Sequence, residues 1–131
     1  MKLRIRGDSL RLRLTRSEVS ALMAGSLVIE RMQLGPGTVF EYRLATDSTA
    51  NEPRAELEEG VLVVRLPVKT ASDWANSETV GIEARQANGA DEGLLILVEK
   101  DFPCLTPRPH EDDSDAFARP DAGDPPKCAV E

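Results

Sequence analysis

Residues 2–14 read Lys-Leu-Arg-Ile-Arg-Gly-Asp-Ser-Leu-Arg-Leu-Arg-Leu, an alternation of apolar and mostly cationic side chains interrupted at Gly7-Asp8. A period of two puts alternate side chains on opposite faces of an extended chain, whereas a helix would scatter the same residues around its circumference. The spacing predicts two strands, with Gly7-Asp8 as a two-residue hairpin turn in which glycine supplies the positive φ a primed turn needs at its first central position. In that register Ile5 faces Leu10 and Leu3 faces Leu12, closing an apolar face. The other face sets Arg4 opposite Arg11 and Lys2 opposite Arg13.

Thr15-Arg16-Ser17-Glu18 fits a capping box, the hydroxyl of Thr15 accepting from the third helical amide while Glu18 reaches back to the cap amide. A short helix should follow, burying Val19, Leu22 and Met23 and stopping at Gly25. Further strands are expected over 27–34, 38–44, 54–58, 61–66, 80–86 and 93–99, separated by Gly35-Pro36-Gly37, the polar run 45–52, Glu59-Gly60 and the turn 87–92. Residues 68–76 read as a helical turn carrying Trp74. The run Leu94-Leu95-Ile96-Leu97-Val98 is the most buried-looking strand. Short strands divided by turn signals favour antiparallel pairing, and no internal repeat is evident in the sequence.

The expected architecture is mainly β, with α+β as the neighbouring class: an antiparallel, barrel-like or strongly curved sheet of about seven or eight strands with one capped helix after the first hairpin. At 131 residues the chain suits one domain. Residues 1–100 are assigned to that domain and residues 101–131 to a Pro-rich acidic tail, expected to pack at least in part on the body. Six of the nine prolines fall in this tail, a density that no regular element survives. Aromatic residues make up only 4% of the chain, so the core must be built from Leu, Val, Ile and Ala, and a flat aromatic platform for single-stranded nucleic acid is disfavoured.

The net charge of −7 opposes non-specific binding to nucleic acid or to an anionic membrane, which depends on Lys and Arg neutralising phosphates. The charge is unevenly distributed. Residues 1–16 hold Lys2, Arg4, Arg6, Arg11, Arg13 and Arg16 against Asp8 alone, while residues 101–131 hold eight acids against Arg108, Arg119 and Lys127. A basic start and an acidic end suggest that the two meet. No apolar run has the length of a membrane span, no signal-peptide pattern opens the chain, and a cytoplasmic location is expected.

Two constellations invite chemistry. Like charges directly opposite across a hairpin repel, so Arg4, Arg6, Arg11 and Arg13 call for anionic neighbours. These are either the protein's own Glu41, Glu56, Glu58 and Glu83, or a bound anion, or the acidic tail or an acidic partner. The second constellation is Cys104, His110 and Cys128, two thiols and an imidazole that form the ligand set of a zinc site, with Asp112, Asp113 or Asp115 as a fourth ligand. Their spacing lacks the close pairs of compact zinc motifs. Three readings stay open: buried thiols with a surface histidine, a Cys104 to Cys128 crosslink, and a metal site.

The acidic run does not make an EF-hand, since starting from Asp113 the fifth and sixth positions are Phe117 and Ala118, where an oxygen ligand and glycine belong. With one histidine, no nucleophile elbow and no Gly-rich phosphate loop, the common hydrolase and nucleotide-binding signatures are absent.

Residues 7–19, Gly-Asp-Ser-Leu-Arg-Leu-Arg-Leu-Thr-Arg-Ser-Glu-Val, resemble the start of AbrB-like swapped-hairpin antitoxin and regulator domains, a likeness covering residues 2–25. It implies that Arg4, Arg6, Arg11 and Arg13 face DNA. Over nearly its whole length the chain resembles a family of small uncharacterised bacterial proteins, through residues 2–14, the Asp-Trp-Ala-Asn-Ser-Glu-Thr-Val-Gly of 73–81 and the Val-Glu-Lys-Asp-Phe-Pro-Cys-Leu of 98–105. That resemblance implies no activity, but it places 102–105 within the folded unit. The reading is a non-enzymatic cytoplasmic interaction or ligand-binding protein whose Arg face takes a small anion or an acidic protein segment, its own tail included. A DNA-binding regulator and a zinc-binding module are the alternatives.

Overall fold

The opening hairpin forms in the register its alternation dictates: β1 (Lys2–Ile5) and β2 (Ser9–Leu14) pair antiparallel, with Leu3 on Leu12, Arg4 on Arg11 and Lys2 on Arg13. Gly7 has φ 54°, and the Arg6 amide donates to the Ser9 carbonyl at 3.0 Å to close the turn. A computed structural model describes residues 1–102, 115 and 117. Helix α1 (Arg16–Met23) begins with the complete capping box: the Thr15 hydroxyl accepts from Glu18 N and the Glu18 carboxylate accepts from Thr15 N. It buries Val19 and Leu22 and leaves Met23 on the surface.

The remaining elements are β3 (Val28–Gly35), β4 (Thr38–Asp47), β5 (Arg54–Glu58), β6 (Val61–Pro67), α2 (Val68–Ala75), β7 (Gly81–Gln86) and β8 (Leu94–Lys100). The segment after Pro67 is thus a two-turn helix rather than a single turn. Its N-cap, Pro67, makes no side-chain hydrogen bond, and it buries Ala71 and Trp74.

The expected barrel gives way to two four-stranded sheets, ordered β1-β2-β8-β7 and β3-β4-β6-β5. The antiparallel expectation holds for the outer pairs and fails at the centre of each sheet, where β2 runs parallel to β8 and β4 parallel to β6. Those central strands are 80 or more residues apart in the first sheet, so their pairing depends on the path of the whole chain. They carry the most buried row of the core: Leu12, Val98, Leu44 and Val64 are each 1% exposed or less.

A repeat invisible in the sequence appears in the topology. The chain is two ββαββ halves, β1 to β4 around α1 and β5 to β8 around α2, and each half contributes one hairpin to each sheet. The registers superimpose. Leu12 pairs with Leu3 and Val98, and Val98 with Ile82; in the other sheet Val64 pairs with Ala55 and Leu44, and Leu44 with Val28. Counting on from Leu12 and Val64, Val19 and Leu22 of α1 match Ala71 and Trp74 of α2. A smaller residue beside a larger one in α2 keeps the filled volume similar, which core packing requires. The helices touch one another, and one cluster of buried residues spans both sheets and both helices.

The free edges of the sheets are joined by polar contacts. Between β7 and β5 the Gln86 amide does the work of a strand, its Oε1 accepting from Ala55 N at 2.7 Å and its Nε2 donating to the Ala55 carbonyl at 2.9 Å. Between β1 and β3 the Met1 ammonium donates to Glu18 and, at 2.8 Å, to Glu30, while the Tyr42 hydroxyl donates to the Met1 carbonyl at 2.8 Å. Burial works to lower the pKa of that amine, but the two carboxylates outweigh it and the net direction is upward. The Tyr42 phenol is pushed up as well, by burial first and then by Glu30 and Glu18.

Candidate functional site

Alternation along β1, β2, β8 and β7 fixes what the outer face of the first sheet presents. Cross-strand rows set Lys2 beside Arg13, Glu99 and Gly81; Arg4 beside Arg11, Leu97 and Glu83; and Ser9 beside Leu95 and Arg85. Among the described residues the strands of this face carry five cations, Lys2, Arg4, Arg11, Arg13 and Arg85, against the two carboxylates Glu83 and Glu99. Glu99 answers two guanidiniums, with its Oε1 3.2 Å from Arg11 Nε and 3.7 Å from Arg13 Nε. Room for its side chain comes from Gly81, directly across the ladder, because a Cβ there would lie 2.9 Å from Glu99 Cγ.

The outer face of the second sheet is balanced. Arg31, Arg43, Arg54 and Arg65 share it with Glu41, Asp47, Glu56 and Glu58. Glu41 accepts from both Arg31 and Arg43, Arg54 pairs with Glu56 at 3.4 Å, and Arg65 grips Glu58 through two nitrogens at 2.7 and 3.1 Å. Glu41 and Glu58 are held below the usual carboxylate range, chiefly by the hydrogen bonds from Arg43 and Arg65 respectively.

At one end of the cationic face the three segments that carry the whole-chain resemblance meet. Lys2 Nζ lies 3.2 Å from Asp101 Oδ2, and the Asp101 amide donates to the Leu14 carbonyl at 2.8 Å. Lys100, beside it, is buried. Its amide donates to the Val80 carbonyl at 2.9 Å, and its Nζ donates to the Ser77 carbonyl at 2.6 Å while lying 5.9 Å from the Trp74 ring centre. Trp74 Nε1 donates in turn to the Val80 carbonyl at 2.9 Å. Burial pushes the Lys100 pKa down, with Glu78 opposing. These contacts explain why the three segments belong together: they build one corner of the fold, with the Lys100 ammonium at its centre donating to the Ser77 carbonyl and lying over the Trp74 ring.

At the other end Arg6 and Arg85 line a cleft of about 440 Å³ between the β1–β2 and β7–β8 turns, together with Asp8, Asp91 and Glu92. Arg6 makes no ion pair among the described residues, and Arg85 donates to the Glu92 carbonyl at 3.1 Å. Of the four arginines singled out by the sequence, Arg4, Arg11 and Arg13 lie on the strands of this face and Arg6 lines the cleft at its end. The counter-ions found there are not Glu41, Glu56 and Glu58, which serve the second sheet; Glu83 lies on the first-sheet face, in the row of Arg4 and Arg11. Glu99 and Asp101 were missed because nothing local shows that β8 lies beside β2.

Cys104, His110, Asp112 and Cys128 lie outside the described residues, as does Asp113. Asp115 is described, and it caps α1: its carbonyl accepts from Arg16 N at 3.0 Å and its Oδ1 from Ser17 N at 3.4 Å. Among the described residues no group of three or more His, Cys, Asp or Glu side chains is placed to hold a metal ion, and no helix is long and apolar enough to cross a membrane.

Fold and face together define a mainly β, two-sheet protein of duplicated ββαββ topology with one cationic and one balanced outer surface. The chain belongs to a family of unknown function, DUF7009, matched over residues 1–121. The match agrees with the whole-length resemblance and gives no support to the local likeness to AbrB-like domains. No curated protein and no solved structure matches the chain.

Proposed function

We propose that this is a non-enzymatic binding protein whose first-sheet outer face docks a small anion or an acidic protein segment. The observation that carries the reading is the charge contrast: a chain of net charge −7 concentrates five strand cations against two carboxylates on one face and balances the other. Arg11 and Arg13 share a single carboxylate, so their remaining donors are available to an incoming anion, for which the guanidinium fork is well shaped. Leu95 and Leu97, partly exposed between these charges, give the face an apolar floor against which Arg stems and a partner's side chains can pack.

The test is a titration of the full chain with inorganic polyphosphate and with an acidic peptide, read by thermal shift at low and high salt. The wild type and an R54Q/R65Q control on the balanced face should be stabilised at low salt and much less at high salt. An R4Q/R11Q variant should lose most of the shift. No response to any anion, or an undiminished response in R4Q/R11Q, would sink the reading. Duplex DNA in the same titration distinguishes the regulator alternative, which requires steeply salt-dependent binding.

A further inference from the structure

The two helix starts are treated unequally. No side chain caps α2, and its first turn holds no acid, whereas α1 has its own capping box and receives Asp115 as well. Two residues beyond Asp115, the Phe117 amide donates to the Asp101 carbonyl at 2.7 Å. The Phe117 ring stands edge-on to Phe102, centroids 6.3 Å apart, and Lys100 Nζ lies 5.5 Å from its centre. It also packs against the common core.

The internal repeat shows what is unusual here. By register Asp47 holds in the second sheet the place that Asp101 holds just beyond β8 in the first. There the Asp47 carbonyl is met by the Ala50 amide, three residues on, in a local turn at 3.3 Å. In the first sheet the Asp101 carbonyl is met by the amide of Phe117, sixteen positions further along the chain. An acid at a helix N-terminus and an aromatic ring against an ammonium are interactions of side-chain identity, so this place selects its occupant by sequence.

We propose that the slot formed by the start of α1, Lys100, Asp101 and Phe102 is a recognition site for a short Asp-x-Phe segment, occupied in cis by Asp115 and Phe117, which act as a detachable latch. The carboxylate of Asp115 accepts from the Ser17 amide and its main-chain carbonyl from the Arg16 amide, while the Phe117 ring stands over Lys100 and the Phe117 amide donates to the Asp101 carbonyl. Asp115 is held below the usual carboxylate range by hydrogen bonds from Ser17 first and Thr15 next, in keeping with a docked anion. The site adjoins the end of the cationic sheet face, where Asp101 pairs with Lys2, and differs from that face in taking an aromatic ring.

The experiment uses the full chain carrying Asp115→Ala and Phe117→Ala, which empties the slot, and a fluorescent synthetic peptide of residues 111–120. Anisotropy should show the peptide binding this variant at least about tenfold more tightly than it binds the wild type, whose slot is filled in cis. A peptide with Phe117→Ala keeps its charge, so a similar loss of binding separates this slot from the Arg face. Equal binding of both peptides, or none to the double variant, overturns the proposal. Should the double variant fail to fold by circular dichroism, hydrogen exchange in the single Asp115→Ala chain decides. The Ser17 amide, which loses its carboxylate acceptor, should exchange about tenfold faster than in the wild type, and unchanged exchange overturns the latch.

Discussion

Leu12 in the first half and Val64 in the second hold matching places in the ladders, as do Leu22 and Trp74 on the two helices, yet the halves join their free edges by opposite chemistry. Where β1 approaches β3, an ammonium, two carboxylates and a phenol meet. Where β5 approaches β7, one neutral amide bridges the backbone of Ala55. The same contrast runs over the outer faces, since the like-charged pair Lys2 and Arg13 relies on Asp101 and Glu99 from outside its hairpin, while the equivalent pair Arg54 and Arg65 is served by Glu56 and Glu58 within its own hairpin. A shared backbone therefore sets where a charge falls, and each half's residues decide how it is compensated. The core is common to both halves, whereas the edges and faces were free to diverge.

The sharpest way to break the comparison is in the core. Trp74→Ala should cost about 3–5 kcal/mol and Leu22→Ala about 2–5 kcal/mol by urea denaturation, because each empties the matching place on its helix. A Leu22→Ala cost far below that of Trp74→Ala would show that the second half carries the core alone. Gln86→Leu comes next, at about 1–3 kcal/mol, since the Ala55 amide and carbonyl lose their partner at a largely buried edge. If that substitution is neutral, the neutral junction is ornamental and the contrast between the edges fails.

Removing the α1 cap with Thr15→Ala should cost about 1 kcal/mol, a loss with no counterpart at Pro67, which makes no such bond. The smallest effect is the pH dependence of the charged junction. The Met1 amine has a folded pKa above its ordinary 8.0, so its contribution is fully present below pH 8 and is lost as the pH rises through the folded value. Exposure of the surrounding carboxylates limits it to about 1 kcal/mol or less. Glu30→Gln should flatten the alkaline slope of stability, measured by chemical denaturation between pH 7 and 10, and an unchanged slope would remove the ammonium from the account.

Much of the local structure was legible. Strand 54–58 was read to the residue, the opening hairpin in its register, and the α1 cap down to both of its hydrogen bonds. The pairing of Arg4 with Arg11 and of Lys2 with Arg13 was legible because alternation within a hairpin needs no knowledge of anything further away. The division into two sheets, the parallel central pairs and the repeat were not legible, and neither were the counter-ions Glu99 and Asp101. Each depends on which distant strand lies alongside, and the apolar residues of β8 would suit any buried neighbour equally well.

By itself the sequence determined the elements whose causes act within a few residues: period-two alternation, a positive φ at Gly7, a threonine and a glutamate three apart, and a cationic stripe opposite an apolar one. Tertiary structure alone decided that the hairpins of the two halves are exchanged between sheets, that Gly81 makes room for the carboxylate shared by Arg11 and Arg13, and that Asp115 and Phe117 fill a slot beside Lys100. The physical reason is range. Backbone sterics and capping bonds are satisfied locally, whereas burial of a common core is satisfied only by the whole chain, and the placement of charge follows from whichever strands that burial brings together.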